Sequence, residues 1–369
     1  MVKVLLCTPY LQGRDIQKGG INMWANNLLT YYKTLDNPNV YITPVSFDRK
    51  SYINEDTGIL KRVFLGIKEL SVSVKNVETL MRQEPFDVIH ICTSASLSLF
   101  KDLKLLQLAR KYNVKSVVHL HFGRTPDLAV KKNLEWMLLK KVVSKADSVV
   151  TMDSFTHKTL IISGCKNVRY CPNPLSLSII NQVSKERGSL IKQKNKIVFV
   201  GHVISTKGVY ELVNACKQID GIELHIIGKV LDQVRNDLLT IAAEKGDGAW
   251  LKLHGEISHE EVLRAMMTAN IFAFPSYTEG FPNVILEAMV CGCAIASSSV
   301  GAIPEMLDVN NKPCGICYKP QSIDDVRDSI IHLLSDGDLC ENYSQQAMCR
   351  AYSEYSMQNV WQRLINIWS

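Results

Sequence analysis

The sequence lacks the long apolar run that a membrane-spanning helix needs. None of its apolar stretches reaches the roughly 20 residues required to cross a bilayer, although 46% of its 369 residues are hydrophobic. Residues 1–6 contain a single lysine and are soon followed by Pro9 and Gly13, which predicts a first strand and not a signal peptide. We therefore expect a cytoplasmic protein with large cores, whose membrane contact would be peripheral, on the inner face of the plasma membrane.

Motifs typical of nucleotide cofactors and of bound metals are also missing. There is no G-x-G-x-x-G and no G-x-x-x-x-G-K-[ST], which argues against a dinucleotide-dependent dehydrogenase and a P-loop ATPase. No Asp-x-Asp string follows a predicted strand, so we expect no bound metal ion. Because the nucleotide-cofactor motifs are missing as well, we expect no cofactor. The eleven cysteines lack a second ligand pair at zinc spacing, which predicts free, buried thiols in a reducing cytoplasm.

Charge is unevenly divided along the chain. Residues 1–170 hold 25 of the 42 Lys and Arg and 14 of the 36 Asp and Glu, a net charge of +11, which leaves −5 for the remainder. The basic part shows no zinc-finger spacing, RNP-like aromatic string or dense basic block, so we expect no nucleic-acid partner. Lysines interleaved with apolar residues over 128–145 fit two alternatives, a helix on an anionic membrane or a core-packed helix with a solvated basic face.

Strand-like apolar stretches alternate with helical stretches through the whole chain. This alternation predicts an α/β protein with parallel sheets covered on both faces. The predicted strands are 3–10, 40–47, 88–93, 116–122, 149–153 and 168–171, followed by 196–203, 222–227, 251–254, 271–275 and 294–297. We assign an N-terminal domain to residues 1–174, a polar linker to 175–195, a C-terminal domain to 196–350 and a last helix to 351–369.

The most informative stretch runs from the strand 271–275 through a polar turn into an apolar helix. Pro282 suits the first position of a helix, and Glu279 and Glu287 flank the helix start. The free N–H groups of a helix N-terminus attract anionic, oxygen-rich ligands, and Gly280 lets such a ligand approach the backbone closely. The pattern predicts a site for a phosphorylated, hydroxyl-rich molecule.

Two other loops carry glycine after a predicted strand. Lys207 and Gly208 follow the strand 196–203, where a lysine can place a point charge on a phosphate. Gly19 and Gly20 follow the first strand and precede a helical stretch, a combination that can cradle phosphate with backbone N–H groups. Each loop taken alone is also typical of a plain turn.

Two histidines near the end of the strand 116–122 share one face of the sheet. His119 is best interpreted as a core residue, and we expect His90 on another strand to be structural as well. His121 lies at the carboxyl end of its strand, where the active sites of parallel sheets are found. No third ligand lies nearby in the sequence, so we expect no metal at this pair.

The string 274–289, continued by 291–296 and 301–305, resembles the donor-binding signature of family 4 retaining glycosyltransferases of the GT-B fold. The resemblance covers essentially the whole chain and implies two Rossmann-like domains facing across a cleft, with the C-terminal helix returning to the N-terminal domain. The family pattern Gly-Arg-x4-Lys-Gly corresponds to residues 201–208, with His202 in place of the arginine. The resemblance implies catalytic roles for Glu279, His121 and Lys207 and substrate contacts from Gly19, Gly20, His202, Gly280, Phe281, Pro282, Asn283 and Glu287.

The resemblance implies transfer of a hexosyl group from a nucleotide-diphosphate sugar to a saccharide or lipid-linked acceptor, with retention at the anomeric carbon, in cell-surface polysaccharide or lipopolysaccharide synthesis. The C-terminal domain would bind the donor and the N-terminal domain the acceptor. Two alternatives stay open. One is a nucleotide-sugar 2-epimerase on the same fold. The other, suggested by His202, is a non-catalytic subunit that binds nucleotide sugars.

Overall fold

The computed structural model describes residues 1–9, 20–36, 39–47 and 59–369, with the backbone alone for residues 59–70. The described chain divides into two compact units. The first comprises Met1–Pro174 together with Met357–Ser369, and the second comprises Leu175–Ser356. Among the described residues, no helix combines the length and the apolar character needed to cross a bilayer.

The first unit is built on a six-stranded sheet in which every neighbouring pair of strands is parallel. Its strands are β1 (Val2–Thr8), β2 (Val40–Ser46), β3 (Val88–Thr93), β4 (Lys115–Leu120), β5 (Ser148–Thr151) and β6 (Val168–Tyr170). The order across the sheet is β2-β1-β3-β4-β5-β6. The strand order therefore reverses at β1, which lies between β2 and β3.

Helices are interleaved with these strands, and one further helix comes from the end of the chain. They are α1 (Gly20–Lys33), α2 (Ile59–Gln83), α3 (Ser98–Lys111), α4 (Thr125–Lys131), α5 (Leu134–Val143), α6 (Ser154–Ile162) and, after the second unit, α15 (Met357–Trp368). The sheet separates two apolar cores, because alternate residues of each strand point to opposite faces. Leu5 and Cys7 belong to one core, whereas Val4 and Leu6 join Trp24 of α1 and Trp361 of α15 in the other.

The second unit repeats the architecture with its own six-stranded parallel sheet. The strands are β7 (Gln193–Val200), β8 (Glu223–Ile227), β9 (Leu251–Gly255), β10 (Ala269–Phe274), β11 (Ala294–Ser298) and β14 (Ile316–Tyr318), in the order β14-β11-β10-β7-β8-β9. A small antiparallel ribbon pairs β12 (Asp308–Val309) with β13 (Lys312–Pro313). The helices are α7 (Leu177–Glu186), α8 (Val209–Lys217), α9 (Asp232–Ala243), α10 (His259–Thr268), α11 (Asn283–Val290), α12 (Ile303–Leu307), α13 (Ile323–Ser335) and α14 (Gly337–Glu354).

Residues 175–195, predicted as a polar linker between domains, do not form an irregular loop. It contains α7, and β7 already begins at Gln193. Ile179 and Val183, four residues apart, form a buried stripe on α7, and Glu186 at its end pairs with Arg264 of α10. The polar composition reflects the exposed side of a helix that buries one narrow stripe.

The basic helix predicted over 128–145 is also interrupted. Lys132 adopts a left-handed conformation with φ +48°, which ends α4. Asn133 then caps α5, because its side-chain oxygen accepts a hydrogen bond from the backbone N–H of Trp136 at 3.0 Å. An Asn at this position favours a new helix start over continuation of the old one. The lysines are therefore divided between two short helices.

Local features of the helix ends and the cysteines follow from the sequence to different degrees. Ser258, followed three residues later by Glu261, is the sequence pattern of a capping box, and both reciprocal hydrogen bonds are present at the start of α10. Pro282 was predicted as the first residue of its helix. In the structure it is the N-cap, and α11 begins one residue later, at Asn283. All eleven cysteines are free as expected, although Cys317 and Cys349 are exposed.

Candidate active site

Two loops of the second unit meet at the carboxyl edge of its sheet. One follows β7 and the other follows β10, and these strands are direct neighbours, with Ile197 paired to Ile271. The strand order turns at this place, since β8 lies on the other side of β7. Ligands of open parallel sheets bind outside the carboxyl ends of the strands at such a switch point. The two motifs singled out in the sequence therefore lie where this architecture favours a ligand.

Gly208 makes the close approach of these two loops possible. A short 3-10 turn, Ser205–Lys207, ends at Gly208, which has φ +71°. A Cβ atom at Gly208 would lie 2.1 Å from the carbonyl oxygen of Pro275, so a larger residue would push the loops apart. The backbone N–H of Tyr277 donates to the carbonyl oxygen of Thr206 at 3.0 Å and ties the loops together.

Lys207 and Glu279 form an ion pair across the two loops. The distance from Lys207 Nζ to Glu279 Oε1 is 2.5 Å, and the side chains are 24% and 12% exposed. The ammonium group also lies 5.6 Å from the centre of the Phe274 ring. Partial burial beside an aromatic face strengthens the field of this cation at the edge of the sheet. The structure thus brings together two residues that are 72 positions apart in the sequence.

The loop between Glu279 and α11 is held by its backbone. The carbonyl oxygen of Gly280 accepts a hydrogen bond from the N–H of Ala302 at 2.8 Å. Phe281 is buried, with its ring centre 5.7 Å from that of Tyr355, so its side chain serves packing. Asn283, the first residue of α11, is half-buried, and His202 on the neighbouring loop is exposed.

Glu287 lies in α11 and is only 7% exposed. Its Oε1 atom lies 3.3 Å from Nε2 of His259, the first residue of α10. This contact raises the pKa of His259 above its ordinary value and outweighs the opposing effect of burial. His259 belongs to none of the motifs singled out in the sequence. The signal that was available is its position directly after the capping-box serine, which fixes it at a helix start.

In the first unit, Gly20 is the first residue of α1, and Gly19 lies outside the described residues. His121 directly follows β4. Its ring centre lies 4.0 Å from that of His119 and 4.9 Å from that of Trp24. Burial lowers the pKa of His121 to about 3, so the ring is neutral at physiological pH. Its Nε2 atom is shielded from solvent and has no hydrogen-bond partner within the described part of the chain.

A buried hydrogen-bond chain continues behind His121. The indole N–H of Trp368 donates to Nδ1 of His90 at 2.9 Å, so the proton of neutral His90 is on Nε2. That nitrogen lies 3.3 Å from Nδ1 of His119, which accepts the bond. The arrangement confirms that His90 and His119 are core residues and fixes the ring of His119, against which the ring of His121 packs.

His90, Cys92 and His119 also bring three ligand atoms within 4.8 Å of one another. A neutral imidazole that binds a metal through Nε2 carries its proton on Nδ1. In His90 that proton would point directly at the indole N–H of Trp368. The hydrogen bond that the indole N–H of Trp368 donates to Nδ1 of His90 is therefore incompatible with a metal ion bound to Nε2 of His90.

Comparison with known proteins agrees with this geometry. Residues 181–349 match the family described as Glycosyl transferases group 1. These residues lie within the second unit. They include Lys207, Glu279 and Glu287, so the three charged groups of the candidate site all lie in the matched region.

Similarity to glycosyltransferases extends beyond the matched residues 181–349. The chain is 24% identical over 353 residues to an uncharacterized glycosyltransferase of Methanocaldococcus jannaschii, covering 94% of this chain and 92% of that protein. It is 25% identical over 248 residues to the capsular polysaccharide biosynthesis glycosyltransferase CapH of Staphylococcus aureus, covering 64% of this chain and 66% of CapH.

The structure of Anabaena HepE in complex with UDP is similar over 99% of both chains, with a TM-score of 0.71 at 15% identity. This likeness concerns the fold, and it assigns the two Rossmann-like units to the GT-B fold. The predicted fold class is confirmed, and the family match over 181–349 together with the relatives supports a glycosyltransferase.

Proposed function

We propose that the protein is a retaining hexosyltransferase that moves a sugar from a nucleoside-diphosphate donor to a saccharide or lipid-linked acceptor in cell-surface polysaccharide biosynthesis. The observation that carries the proposal is the set of charged groups at the switch point of the second sheet. Lys207 and Glu279 lie there in the loops after the neighbouring strands β7 and β10, and Glu287 lies on α11, the helix that follows β10; all three are within the region matched by the glycosyltransferase family. The similarity to CapH, a capsular polysaccharide enzyme, supports the acceptor class.

In the proposed reaction the glycosidic bond to the diphosphate breaks and negative charge grows on the leaving oxygen. Lys207 is held by Glu279 at 2.5 Å, so its charge is already in place before the reaction begins. A preorganised cation in a partly buried site stabilises such developing charge without reorganisation. Exposed His202 stands in place of the family's arginine, where an imidazole would give a weaker contact to the phosphates than a bidentate guanidinium.

Glu287 is assigned to the ribose of the donor. A carboxylate accepts hydrogen bonds through both oxygens, so one side chain can hold two adjacent hydroxyl groups. Its location on α11, shortly after the glycine-containing turn, suits a nucleotide whose phosphates face the helix start. The structural neighbour HepE holds UDP, which supports a nucleoside diphosphate as the ligand class.

The acceptor is assigned to the first unit, with Gly19, Gly20 and His121 as its proposed contacts. His121 is neutral at physiological pH, so it would contact a hydroxyl group of the acceptor without carrying charge. We favour a front-face mechanism, in which donor and acceptor bonds change on the same side of the sugar. An NMR measurement of the anomeric configuration in the product tests retention.

Thermal stabilisation by a panel of nucleotide sugars tests the donor, because a ligand that binds the native state raises the melting temperature. The stabilising sugar is then supplied with candidate acceptors. Release of nucleoside diphosphate together with a glycoside supports the transferase. Conversion of the donor to its 2-epimer without an acceptor would support the epimerase, and binding without turnover a non-catalytic subunit.

We expect turnover without added metal. The positive charge of Lys207 is supplied by the chain itself, and no Asp-x-Asp string follows a predicted strand. Activity is measured in excess chelator and then with magnesium or manganese restored. Unchanged rates are the expected result. A complete loss in chelator that either metal reverses would contradict this prediction.

We also expect the first unit to bind anionic membranes. Val130, Leu134 and Met137 are 82%, 69% and 64% exposed on α4 and α5, beside the exposed Lys131 and Lys140. Exposed apolar residues flanked by lysines suit an interface with acidic lipids. Sedimentation with anionic vesicles should exceed that with neutral vesicles and fall at high salt. Equal binding to both vesicles, or none to either, would count against this surface.

A further inference from the structure

His259 is placed by the start of α10 with little freedom. Ser258 caps the helix by accepting from the N–H of Glu261, while the Glu261 side chain accepts from the N–H of Ser258 at 3.0 Å. This reciprocal pair fixes the first turn and directs His259 toward α11. The Nε2 atom of His259 is shielded from solvent, lies 3.3 Å from Glu287 Oε1, and makes no hydrogen bond of good geometry in the described structure.

Arg264 and Lys196, two other charged groups around α10, already have partners. α10 packs against α7, α11, β7 and β10. Arg264 of α10 pairs with Glu186 of α7 at 2.6 Å and lies 3.9 Å from Glu260. Lys196 of β7 donates to the hydroxyl of Thr268, and the sequence of β10 carries no charged residue. Glu287 of α11 is therefore the charged group that faces His259.

We propose that His259 is a positioning residue which, as an imidazolium ion, holds the Glu287 carboxylate in the orientation that accepts the ribose hydroxyls of the donor. The proposal rests on the assignment of Glu287 to the ribose. Oε1 faces His259 on one side, which leaves Oε2 and a second lone pair of Oε1 for the two hydroxyl groups. The specific consequence is that donor affinity depends on the charge of His259.

The direction of the pH dependence follows from the contact. Since Glu287 raises the pKa of His259, the folded protein holds the proton to higher pH than an unfolded chain does. The ion pair of His259 and Glu287 is complete below the ordinary histidine pKa of about 6.5. It is lost as the pH rises through the raised pKa of His259 in the folded protein. Donor affinity should therefore be highest on the acid side of this transition and fall on the alkaline side.

The test uses the full chain and two probes, UDP-glucose and GDP-mannose. Their diphosphates are esterified at both ends and lack the ionisation near pH 6 that a terminal phosphate shows. With the probe that binds, calorimetry across the transition should show affinity falling by about threefold in the wild type, because a tenfold change would require a full unit of difference between free and bound pKa values. His259→Gln should flatten this profile. His332→Gln, at an exposed histidine of α13, is the matched control and should keep it.

NMR titration of the imidazole in the ligand-free protein gives a second, independent readout. The pKa of His259 should be lower in Glu287→Gln than in the wild type, since the variant lacks the charge that raises it. An unchanged pKa, or a His259→Gln profile equal to that of the wild type, overturns the proposal. If neither probe nor the wider panel binds the wild type, the proposed function fails instead, and the NMR titration still decides whether the two side chains are coupled.

Discussion

Replacing Glu279 by Gln is expected to lower kcat strongly while nucleoside diphosphate affinity changes little. Glu279 holds Lys207 at 2.5 Å, and the charge at the reacting centre changes during transfer. The loss in kcat is about tenfold for each ~1.36 kcal/mol of transition-state stabilisation removed. The neutral amide keeps the size of the side chain but loses the charge that positions the ammonium group.

Replacing Glu287 by Gln should weaken donor binding more than it lowers kcat. The carboxylate is assigned to ribose binding, where hydrogen bonds to a charged group contribute about 1.5–3 kcal/mol each. Because donor and transition state share this contact, the donor KM should rise while kcat falls less. Calorimetry with a nucleoside diphosphate and assays of product release separate the two effects.

Glu341→Gln, at an exposed acid of α14, is the matched control for both variants and should leave both measurements unchanged. Loss of diphosphate affinity in Glu279→Gln, with affinity retained in Glu287→Gln, would show that the two roles are exchanged. If neither variant changes turnover, these loops are not the donor site and the transferase proposal falls with them.

The second large effect is expected from Gly301→Ala, at a glycine that lies against the backbone of Glu279 and Gly280. Gly301 has φ +54°, and a Cβ atom there would lie 2.4 Å from the carbonyl oxygen of Glu279 and 2.6 Å from that of Gly280. The turn that carries Glu279 must therefore move. Since a shift of about 1 Å in catalytic geometry can reduce a rate about hundredfold, we expect a loss of kcat of that order.

A matched control separates this clash from backbone strain. Gly246 has a similar φ of +65°, but its Cβ position has open space around it. Gly246→Ala should therefore lower the melting temperature slightly and leave kcat unchanged. Circular dichroism checks that Gly301→Ala remains folded. If folded Gly301→Ala keeps wild-type turnover, the backbone around Glu279 does not need its present position for the reaction.

Local sequence patterns were sufficient for most of the fold. All eleven predicted strands overlap a described strand, because each is a short apolar run between turns. The short strands β12, β13 and β14 were not predicted. The linker and the single helix over 128–145 were wrong, because polar composition conceals a helix with a narrow buried stripe, and a cap at Asn133 restarts a helix within one apolar pattern.

The candidate site was predictable where its parts are close in sequence. Glu279, Gly280 and Pro282 belong to one strand-turn-helix string, and these neighbouring residues alone predict the type of ligand. The contact between His259 and Glu287 was not predictable, because it depends on the packing of α10 against α11. The importance of Gly301 likewise follows from a carbonyl group more than twenty residues earlier.

By itself, the sequence determined the alternating elements, the motif that follows β10, the free cysteines and the division of charge, since each depends on composition or on neighbouring residues. Only the tertiary structure decided that β7 and β10 are neighbours, which joins Lys207 to Glu279, and that Trp368 returns to fix His90 in the first unit. The physical reason is that strand order and helix packing arise from pairing between distant segments. Local periodicity specifies which face of an element is buried, but not which partner covers it.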